Sequence, residues 1–476
     1  MIHNLIGSFR ELETGIFQIA SPYTRQYIWD DGRNVVFIDG GVAKMDGFTE
    51  LGSIGVATPI LGMNENVSQS ARNLILGTTT QIFWYNGTTT SSIGSGFTGT
   101  LSEGATSAAT QWSFEPWGSW MLCTNGTNAP QIWRGSGSVV AMGSTTFTKA
   151  EIFIRFRDYM IAMNTSNGVN SIEWSDANAP ESWTVAPTNS AGQIILRELD
   201  SNIISAKPLG PDIAIYSLNS VHMMRFVGLP LVFQVQNALT GIGAVSKHSV
   251  VPLNQFNFGL ARQGFFTTDG QAYKYIDEPA IRTWFLSRIN WSQRSKVVGA
   301  HDQDSHQIIW SFPGTGSGEN NQAVGFDYVR NLWTMYDQAW TGLHPKLLFD
   351  NTIGAQSNGR FYAMHSGTSA AGASLTACIT TNYLDFQDNN RLKYISAIKV
   401  GALITGTGLR VRAETSNVVG SGTVVGAFIN ITNDNDLVPI DQTGRFVRFK
   451  FKSENTGVAW NIQAIDVYGA LIGNRP

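Results

Sequence analysis

Short strand-like runs, each closing on an aromatic residue, recur along this chain at nearly even spacing, and that recurrence restricts the fold more than any other feature. NLILGTTTQIFWYNG closes on Trp84, SWMLCTNGTNAPQIWRG on Trp133 and DYMIAMNTSNGVNSIEW on Trp174. DIAIYSLNSVHMMRFVG closes on Phe226, and FNFGLARQGFFTTDGQAYKYI on Tyr273 and Tyr275. KVVGAHDQDSHQIIWSF then reaches Trp310, AVGFDYVRNLWTMYD reaches Trp333 and TIGAQSNGRFYAMHSG reaches Phe361. From Trp84 to Tyr273 the successive separations are 49, 41, 52 and 47 residues, with 37 more to Trp310. A repeat of about 40–50 residues holding four short strands is the period of a β-propeller, whose sheets bury their apolar faces only against one another. Trp310 and Trp333 lie 23 residues apart and read as two hairpins of one blade. The spacing predicts roughly six or seven blades over residues 51–367.

Helical patterns are scarce. EPAIRTWFLSRINWSQRS (278–295) places apolar residues at 281, 284, 285 and 289, which predicts a helix. After residue 367 the texture changes. GTSAAGAS (367–374) is a small-residue linker, and ISAIKVGALI, GLRVRAET, GRFVRFKFKS and NIQAIDVYGALI then alternate apolar with polar positions. The expected fold is all-β: N-terminal strands over 1–50, a propeller over 51–367 and an antiparallel β-sandwich-like platform module over 368–476. The N-terminal strands are candidates to join that module.

Charged residues make up 14% of the chain, against about 25% in an average soluble domain, and 49 glycines sit among Ser, Thr and Asn. Such a surface suits broad subunit contact or an inert wall. A net charge of −3 gives no basic footprint for nucleic acid. Cys123 and Cys378 form neither a disulfide framework nor a zinc pattern, which points to a reducing compartment. The N-terminus lacks the basic and apolar regions of a signal peptide, and no window of about 18 apolar residues predicts a membrane span.

The densest local pattern is SIEWSDANAPESWT (171–184), with Trp174, Ser175, Asp176, Pro180 and Trp183. It reads as an Asp-headed turn: the carboxylate takes backbone N–H groups ahead of it, Pro180 presets φ, and Trp183 covers the turn as a lid. A catalytic role for Asp176 lacks the second carboxylate that would divide acid from base duties. HDQDSH (301–306) offers His301, Asp302, Asp304 and His306 to a metal, but the segment also reads as a hairpin tip whose histidines need not converge. RFRDYM (155–160) and GRFVRFKFK (444–452) read as alternating basic strands, with Arg445, Arg448, Lys450 and Lys452 partly on different faces. The W-S-D-x-x-x-P-x-x-W pattern resembles the Asp-box turns of sialidase propellers. Here it occurs clearly once, and Arg155, Arg157, Arg197, Arg225 and Arg262 are scattered. No Walker loop, G-x-S-x-G or H-E-x-x-H is present. The expectation is a protein with no catalytic set, no cofactor and no metal.

DIAIYSLNSVHMMRFVG is followed by ALTGIGAVSKHSVVPLNQFNFGLARQGFFTTDGQAYKYIDEPAIRTWF, then AHDQDSHQIIWSFPG, then AVGFDYVRNLWTMYD. This order resembles the tail nozzle proteins of short-tailed bacteriophages, also called tail tubular protein B or packaged-DNA stabilisation protein. The corresponding positions are Gly241–Gly243, Gly264 to Gly270, the helix at 278–295, Asp302–His306 and Phe326–Trp333. GRFVRFKF, AWNIQAIDVYG and GNR near the end are similar to that family's C-terminal region. The resemblance spans roughly 150–476, and 1–150 match only in texture. It implies a virion protein made in the bacterial host cytoplasm: a homo-hexameric ring below a portal-adaptor (head-to-tail connector) protein. Genomic DNA would pass through its channel without sequence-specific binding. Tail fibre or needle proteins are further partners, although the chain is too short for the large fibre-docking insertions of longer family members. The alternative from the residues themselves is a glycan-binding or glycan-hydrolysing propeller used in host recognition.

Overall fold

The computed structural model describes residues 4–16, 29–68, 70–99, 111–199, 201–419, 421–434 and 436–474. Among them the strands form seven four-stranded sheets and two six-stranded sheets. The four-stranded sheets are propeller blades. Blade 1 runs Met63–Ser68, Ala71–Gly77, Gln81–Tyr85 and Thr90–Ser95, and blade 2 runs Ser113–Trp117, Trp120–Thr124, Gln131–Trp133 and Val140–Ala141. Blade 3 (Ala150–Phe156, Tyr159–Thr165, Gly168–Trp174, Gly192–Ile195) and blade 4 (Ser205–Leu209, Asp212–Tyr216, Ser220–Gly228, Val232–Thr240) follow the same meander. So do blade 5 (Val250–Leu253, Phe256–Ala261, Gly264–Thr268, Tyr273–Tyr275) and blade 6 (Val298–Asp302, Gln307–Phe312, Gln322–Asp327, Leu332–Tyr336). Blade 7 takes Gly342–His344, Ile353–Ala355 and Arg360–Met364, and its fourth strand is Phe48–Ser53 from ahead of blade 1.

The blades form because each sheet is apolar on both faces and must be covered twice. Leu61, Ile75 and Ile82 of the blade 1 region pack with Trp112, Met121 and Trp133 of blade 2. Leu122, Ile132 and Phe147 pack with Phe153, Met160 and Trp183 between blades 2 and 3. Trp112 shows how closely the layers meet. A side chain on Gly77 would put a carbon 2.3 Å from the indole, so only glycine admits the ring there. The indole N–H then donates to Thr78 O at 2.7 Å.

The recurring aromatics hold a steady place in the first four blades. Trp84, Trp133, Trp174 and Phe226 all lie on third strands, as does Phe361 of blade 7. Elsewhere the register drifts: Tyr273 and Tyr275 lie on a fourth strand, and Trp310 and Trp333 on the second and fourth strands of blade 6. The predicted helix at 278–295 is two pieces, an α-helix at Pro279–Leu286 and a 3-10 turn at Trp291–Lys296. Pro279 starts the first, and Asn290 starts the second by accepting the Ser292 N–H at 3.2 Å, which breaks a continuous helix. Ile281, Trp284, Phe285 and Ile289 are buried as the spacing required.

The six-stranded sheets build an antiparallel sandwich-like module that the N-terminal strands do join. One sheet runs Val35–Ile38, Gly41–Lys44, Ala459–Asn474, Arg391–Thr405, Leu437–Gly444, with Asn4–Phe9 also on Ala459–Asn474. The other runs Trp29–Arg33, Ala377–Thr381, Phe446–Ser453, Arg410–Ser416, Val424–Val425, with Ile429–Asn430 on Arg410–Ser416. By contacts the chain divides into two compact units, Glu50–Ala323 with Ala339–Ala363, and Met1–Thr49 with Val324–Gln338 and Met364–Pro476. Val324–Gln338, expected within the propeller, groups with the sandwich, where Asn34 binds it twice. The Asn34 N–H donates to Met335 O at 2.9 Å and its side chain accepts from Asp337 N at 3.0 Å.

Phe233 sits where blades 3 and 4 meet, with ring centroids of Tyr159, Trp174, Phe156 and Phe226 at 5.2, 5.3, 5.5 and 5.8 Å. Phe233→Ala should cost about 3–5 kcal/mol in chemical denaturation, the range for a large ring removed from a packed core. A loss below about 1 kcal/mol would show that this blade contact is not a principal source of stability.

Candidate functional site

The first strands of the seven blades touch in a closed ring, each meeting the next and blade 7 meeting blade 1. They enclose a cavity of about 540 Å³ lined from every blade. A first strand has one hydrogen-bonded edge and one edge turned to this channel. Proline is tolerated on such an edge because no ladder bond is lost. Pro116, Pro208 and Pro252 all sit there.

Beside those prolines stand ionisable groups. Glu115 of blade 2 accepts the Arg155 N–H of blade 3 at 3.1 Å. Burial pushes its carboxyl up to about 7 against that bond and the nearby positive charges. Lys207 of blade 4 is lowered by burial, opposed by the Glu115 charge. His248 is held at 2.9 Å from Trp112 O, so Nε2 carries the proton and donates. Burial and the Lys207 and Lys247 charges push it down to about 3. His344 of blade 7 is pushed down to about 4 by burial and by Lys207. Its Nε2 lies 3.4 Å from Glu65 Oε1, and burial pushes the Glu65 carboxyl up to about 7 although its other oxygen accepts Leu348 N at 2.6 Å. His344 and Glu65 are therefore a neutral pair over the mildly acidic range, not an ion pair. The channel wall holds neutral imidazoles and the readily protonated Glu115 carboxyl alongside the ammoniums of Lys207, Lys247 and Lys346.

The residues singled out from sequence lie elsewhere. Asp176 does not head an Asx turn. Its Oδ1 accepts the Ser190 N–H at 2.8 Å and the Ser190 hydroxyl at 2.7 Å, tying the strand end to a loop fourteen residues on. Ser175 Oγ accepts the Met160 N–H at 3.1 Å, and Trp174 Nε1 donates to Ser190 O at 2.8 Å. Trp183 is no lid. Its indole N–H donates to Pro180 O at 2.9 Å, and its ring lies in the core edge-on to Phe147 at 5.0 Å. It turns inward because it is apolar on both faces and the blade interface offers more cover than the turn.

HDQDSH is a hairpin, with Asp302 opposite Gln307. Asp302 is fully buried, with Oδ1 accepting the Thr352 hydroxyl at 2.8 Å, while Asp304 pairs with Lys346 at 2.9 Å. Among the described residues no group of three His, Cys, Asp or Glu is placed to hold a metal ion. RFRDYM is also a hairpin, with Phe156 opposite Tyr159. Arg155 lies over Trp117 at 4.5 Å, Arg157 over Phe226 at 4.4 Å, and Arg225 pairs with Asp212 at 2.9 Å, so these arginines do not converge. In the sandwich, Arg448, Lys450 and Lys452 share one face instead of dividing between two, since alternation gives Phe449 and Phe451 the buried side. Arg410 and Arg412 stand opposite Lys452 and Lys450, and Glu414 and Glu454 offset the charge. Arg445 precedes the strand, its guanidinium 5.4 Å from the centre of the Phe446 ring.

The channel cluster was missed from sequence, yet a signal exists. Glu115-Pro116, Lys207-Pro208 and His344-Pro345 each place an ionisable residue before proline at the start of a blade. No helix is long and apolar enough to cross a membrane among the described residues.

No protein-family model matches the chain, and no curated protein does. Among solved structures it is similar to PorZ, described as an essential bacterial surface component of the type-IX secretion system of Porphyromonas gingivalis, at 8% identity and TM-score 0.41. That match covers 74% of this chain and 44% of the other, so the chain spans less than half of PorZ. YCF48 from Cyanidioschyzon merolae is similar over 67% of this chain and 98% of its own, at 10% identity and TM-score 0.41. A chain of the mitotic checkpoint complex is similar over 74% and 98%, at 11% identity and TM-score 0.40. Likeness at this level transfers no function.

Two outcomes follow from the geometry. Asp176→Ala removes two bonds to Ser190 and should cost on the order of 1 kcal/mol of unfolding free energy in urea. The channel sets opposed pH slopes. Glu115 is raised in the fold, so its contribution is present below about 4.5 and lost as pH rises through about 7. His248 and His344 are lowered, so their contribution is present above about 6.5 and lost as pH falls towards about 4 and 3. Glu115→Gln removes the first slope. Between about pH 4.5 and 6.5 the variant should lose stability on acidification by about 1.4 kcal/mol per pH unit more than the parent. Denaturation across that window checks it, and parallel profiles would refute the assignment.

Proposed function

We propose that the chain is a structural virion protein, a nozzle subunit at the end of a short phage tail that retains packaged DNA and lets it pass on ejection. The observation that carries this reading is where the resemblance falls. Gly241–Gly243 leaves blade 4, Gly264 to Gly270 follows the second strand of blade 5, and the broken helix comes next. Asp302–His306 turns the first hairpin of blade 6, and Phe326–Trp333 its second. The motif order is thus one continuous run of structure from the end of blade 4 through blade 6 of a propeller, and a propeller in each subunit is what the resemblance implies.

Composition agrees with a sliding wall. Each Lys or Arg gripping a phosphate would hold DNA back, and binding to duplex is dominated by such neutralisation. The chain carries a net −3 and charges at only 14% of positions. Of the Gly- and Ser-rich segments that could narrow a passage, 313–321 lies within the described residues, while 91–104 extends beyond them at 100–104.

Ring contacts need apolar surface as well. The long hairpin of blade 4 carries Leu229 and Leu231 at its tip, 75% and 70% exposed. A neighbouring copy in a closed cyclic ring is the occupant proposed for that tip. Electron microscopy with the connector protein should show six-fold rings, lost with Leu229→Asp combined with Leu231→Asp in a variant that still folds. Random duplex at roughly 0.15 M salt should bind more weakly than about micromolar. Tight duplex binding, or a protein that stays monomeric on its connector, would overturn the proposal. Saturable glycan binding by such a monomer would favour the host-recognition alternative.

A further inference from the structure

The sandwich module carries a charged face that the nozzle reading does not require. In Phe446–Ser453 the phenylalanines take the buried side, so Arg448, Lys450 and Lys452 stand together on the other. The neighbouring strand Arg410–Ser416 sets Arg412 directly opposite Lys450 and Arg410 directly opposite Lys452. Like charges placed opposite one another in a sheet are destabilising. In a chain where charges occupy only 14% of positions, two such pairs side by side are a cost that folding alone does not call for.

Two carboxylates meet most of that charge. Glu414 takes Arg412 at 2.5 Å through one oxygen and Arg448 at 2.6 Å through the other. Glu454 is shared by Arg410 and Lys452. Lys450 is left over: among the described residues it alone of the five has no ion pair. Its neighbours on this face are Arg448 and Lys452 along the strand, Arg412 across one edge and the uncharged Thr380 across the other. Further carboxylates stand at the margin, with Asp30 at 3.6 Å from Arg448 and Asp31 opposite Thr380. An ammonium with cations on three sides raises the local potential, and an incoming anion lowers it.

The guanidinium groups are held in place as well. Arg410 and Arg412 lie over the Phe428 ring at 5.4 and 4.7 Å, and Arg448 lies over Tyr383 at 4.7 Å. Such fixing lowers the entropy lost when a partner binds. Other features select the partner. Glu414 and Glu454 are set among the cations, so an unbroken row of phosphates would meet them, while a protein segment can place its carboxylates at the cations alone. Val425, opposite Glu414, is 53% exposed and offers apolar contact at the edge of the face. An extended segment also repeats on one side every ~6.8 Å, the spacing of alternate residues such as Arg448, Lys450 and Lys452 along a strand.

We infer that this face of the sandwich docks an acidic, extended segment of a protein partner, with Lys450 at the centre of the contact. A carboxylate placed there pairs the one ammonium that the sheet leaves without a counter-charge and relieves its repulsion from Arg412.

The test is fluorescence anisotropy of the full chain with a labelled deca-glutamate peptide, with a neutral Gly-Ser peptide and a random DNA duplex in parallel. Saturable binding of deca-glutamate is expected, weakening as salt screens the contact, with none of the neutral peptide. Lys450→Glu should weaken it at least about tenfold, and Lys450→Arg should keep it. Lys274→Glu makes the same change in net charge on an exposed strand of blade 5 and should leave the affinity within about twofold. Should Lys450→Glu not fold, Lys450→Gln takes its place, with a loss of at least about threefold expected. No saturable binding at millimolar peptide, or equal losses in the Lys450 and Lys274 variants, would overturn the inference. Duplex binding as tightly as the peptide would overturn it in favour of nucleic acid.

Discussion

The propeller depends on one closure. Phe48–Ser53, which enters before blade 1, is the outermost strand of blade 7, so the first and last parts of the ring share a sheet. Without it Arg360–Met364 would present an unpaired edge, and the strand ladder that joins the two ends of the ring would be lost. The seam is made tight by small and large residues together. A side chain on Gly52 would come within 2.6 Å of the Phe361 ring, which is fully buried beneath it. The Tyr85 hydroxyl of blade 1 reaches Leu51 O at 3.1 Å, and Ile54 N donates to Gly359 O at 3.0 Å. Because the closing pair is separated by some three hundred residues, the ring forms only when the whole repeat array is in place.

Closure also creates the channel. Once the first strands stand in a circle, their free edges and alternate side chains face a common space that no further element fills. Water reaches that space, yet protein surrounds it, so charges there are poorly solvated while remaining accessible. That combination moves Glu115 up and His248 and His344 down, and burial also moves Glu65, beside His344, up. The carboxyls favour acid and the imidazoles favour base. The stability of the ring is thereby buffered across mildly acidic pH.

The sandwich follows a parallel logic at longer range. Asn4–Phe9 and Gly41–Lys44 pair with Ala459–Asn474, and Trp29–Arg33 pairs with Ala377–Thr381, so both chain ends complete the two sheets. Lys44 is a buried link in it. Its ammonium donates to Val458 O at 2.8 Å and Thr368 O at 3.1 Å, which satisfies a charge that burial would otherwise expel. The alternation FVRFKFKS places Phe449 and Phe451 inside and Arg448, Lys450 and Lys452 outside, where Glu414 and Glu454 meet them.

Period, alternation and turn residues are local properties, so the chain by itself determined the all-β class, the propeller repeat, the two hairpins of blade 6 and the alternating sandwich strands. The helix at 278–295 was legible as an apolar face, but its break was not, because the Asn290 cap competes with helix propagation through a bond of marginal energy. Asp176 and Trp183 were legible as a structural turn, whereas their partners Ser190 and Phe147 lie in segments that only folding brings near. The channel groups were hidden for the same reason. Glu115, Lys207, His248 and His344 come from four different blades, and nothing in a linear spacing of tens of residues states that their strands face one axis. Tertiary structure alone decided which polar residues share that confined space, since burial and mutual charge are properties of a neighbourhood and not of a segment.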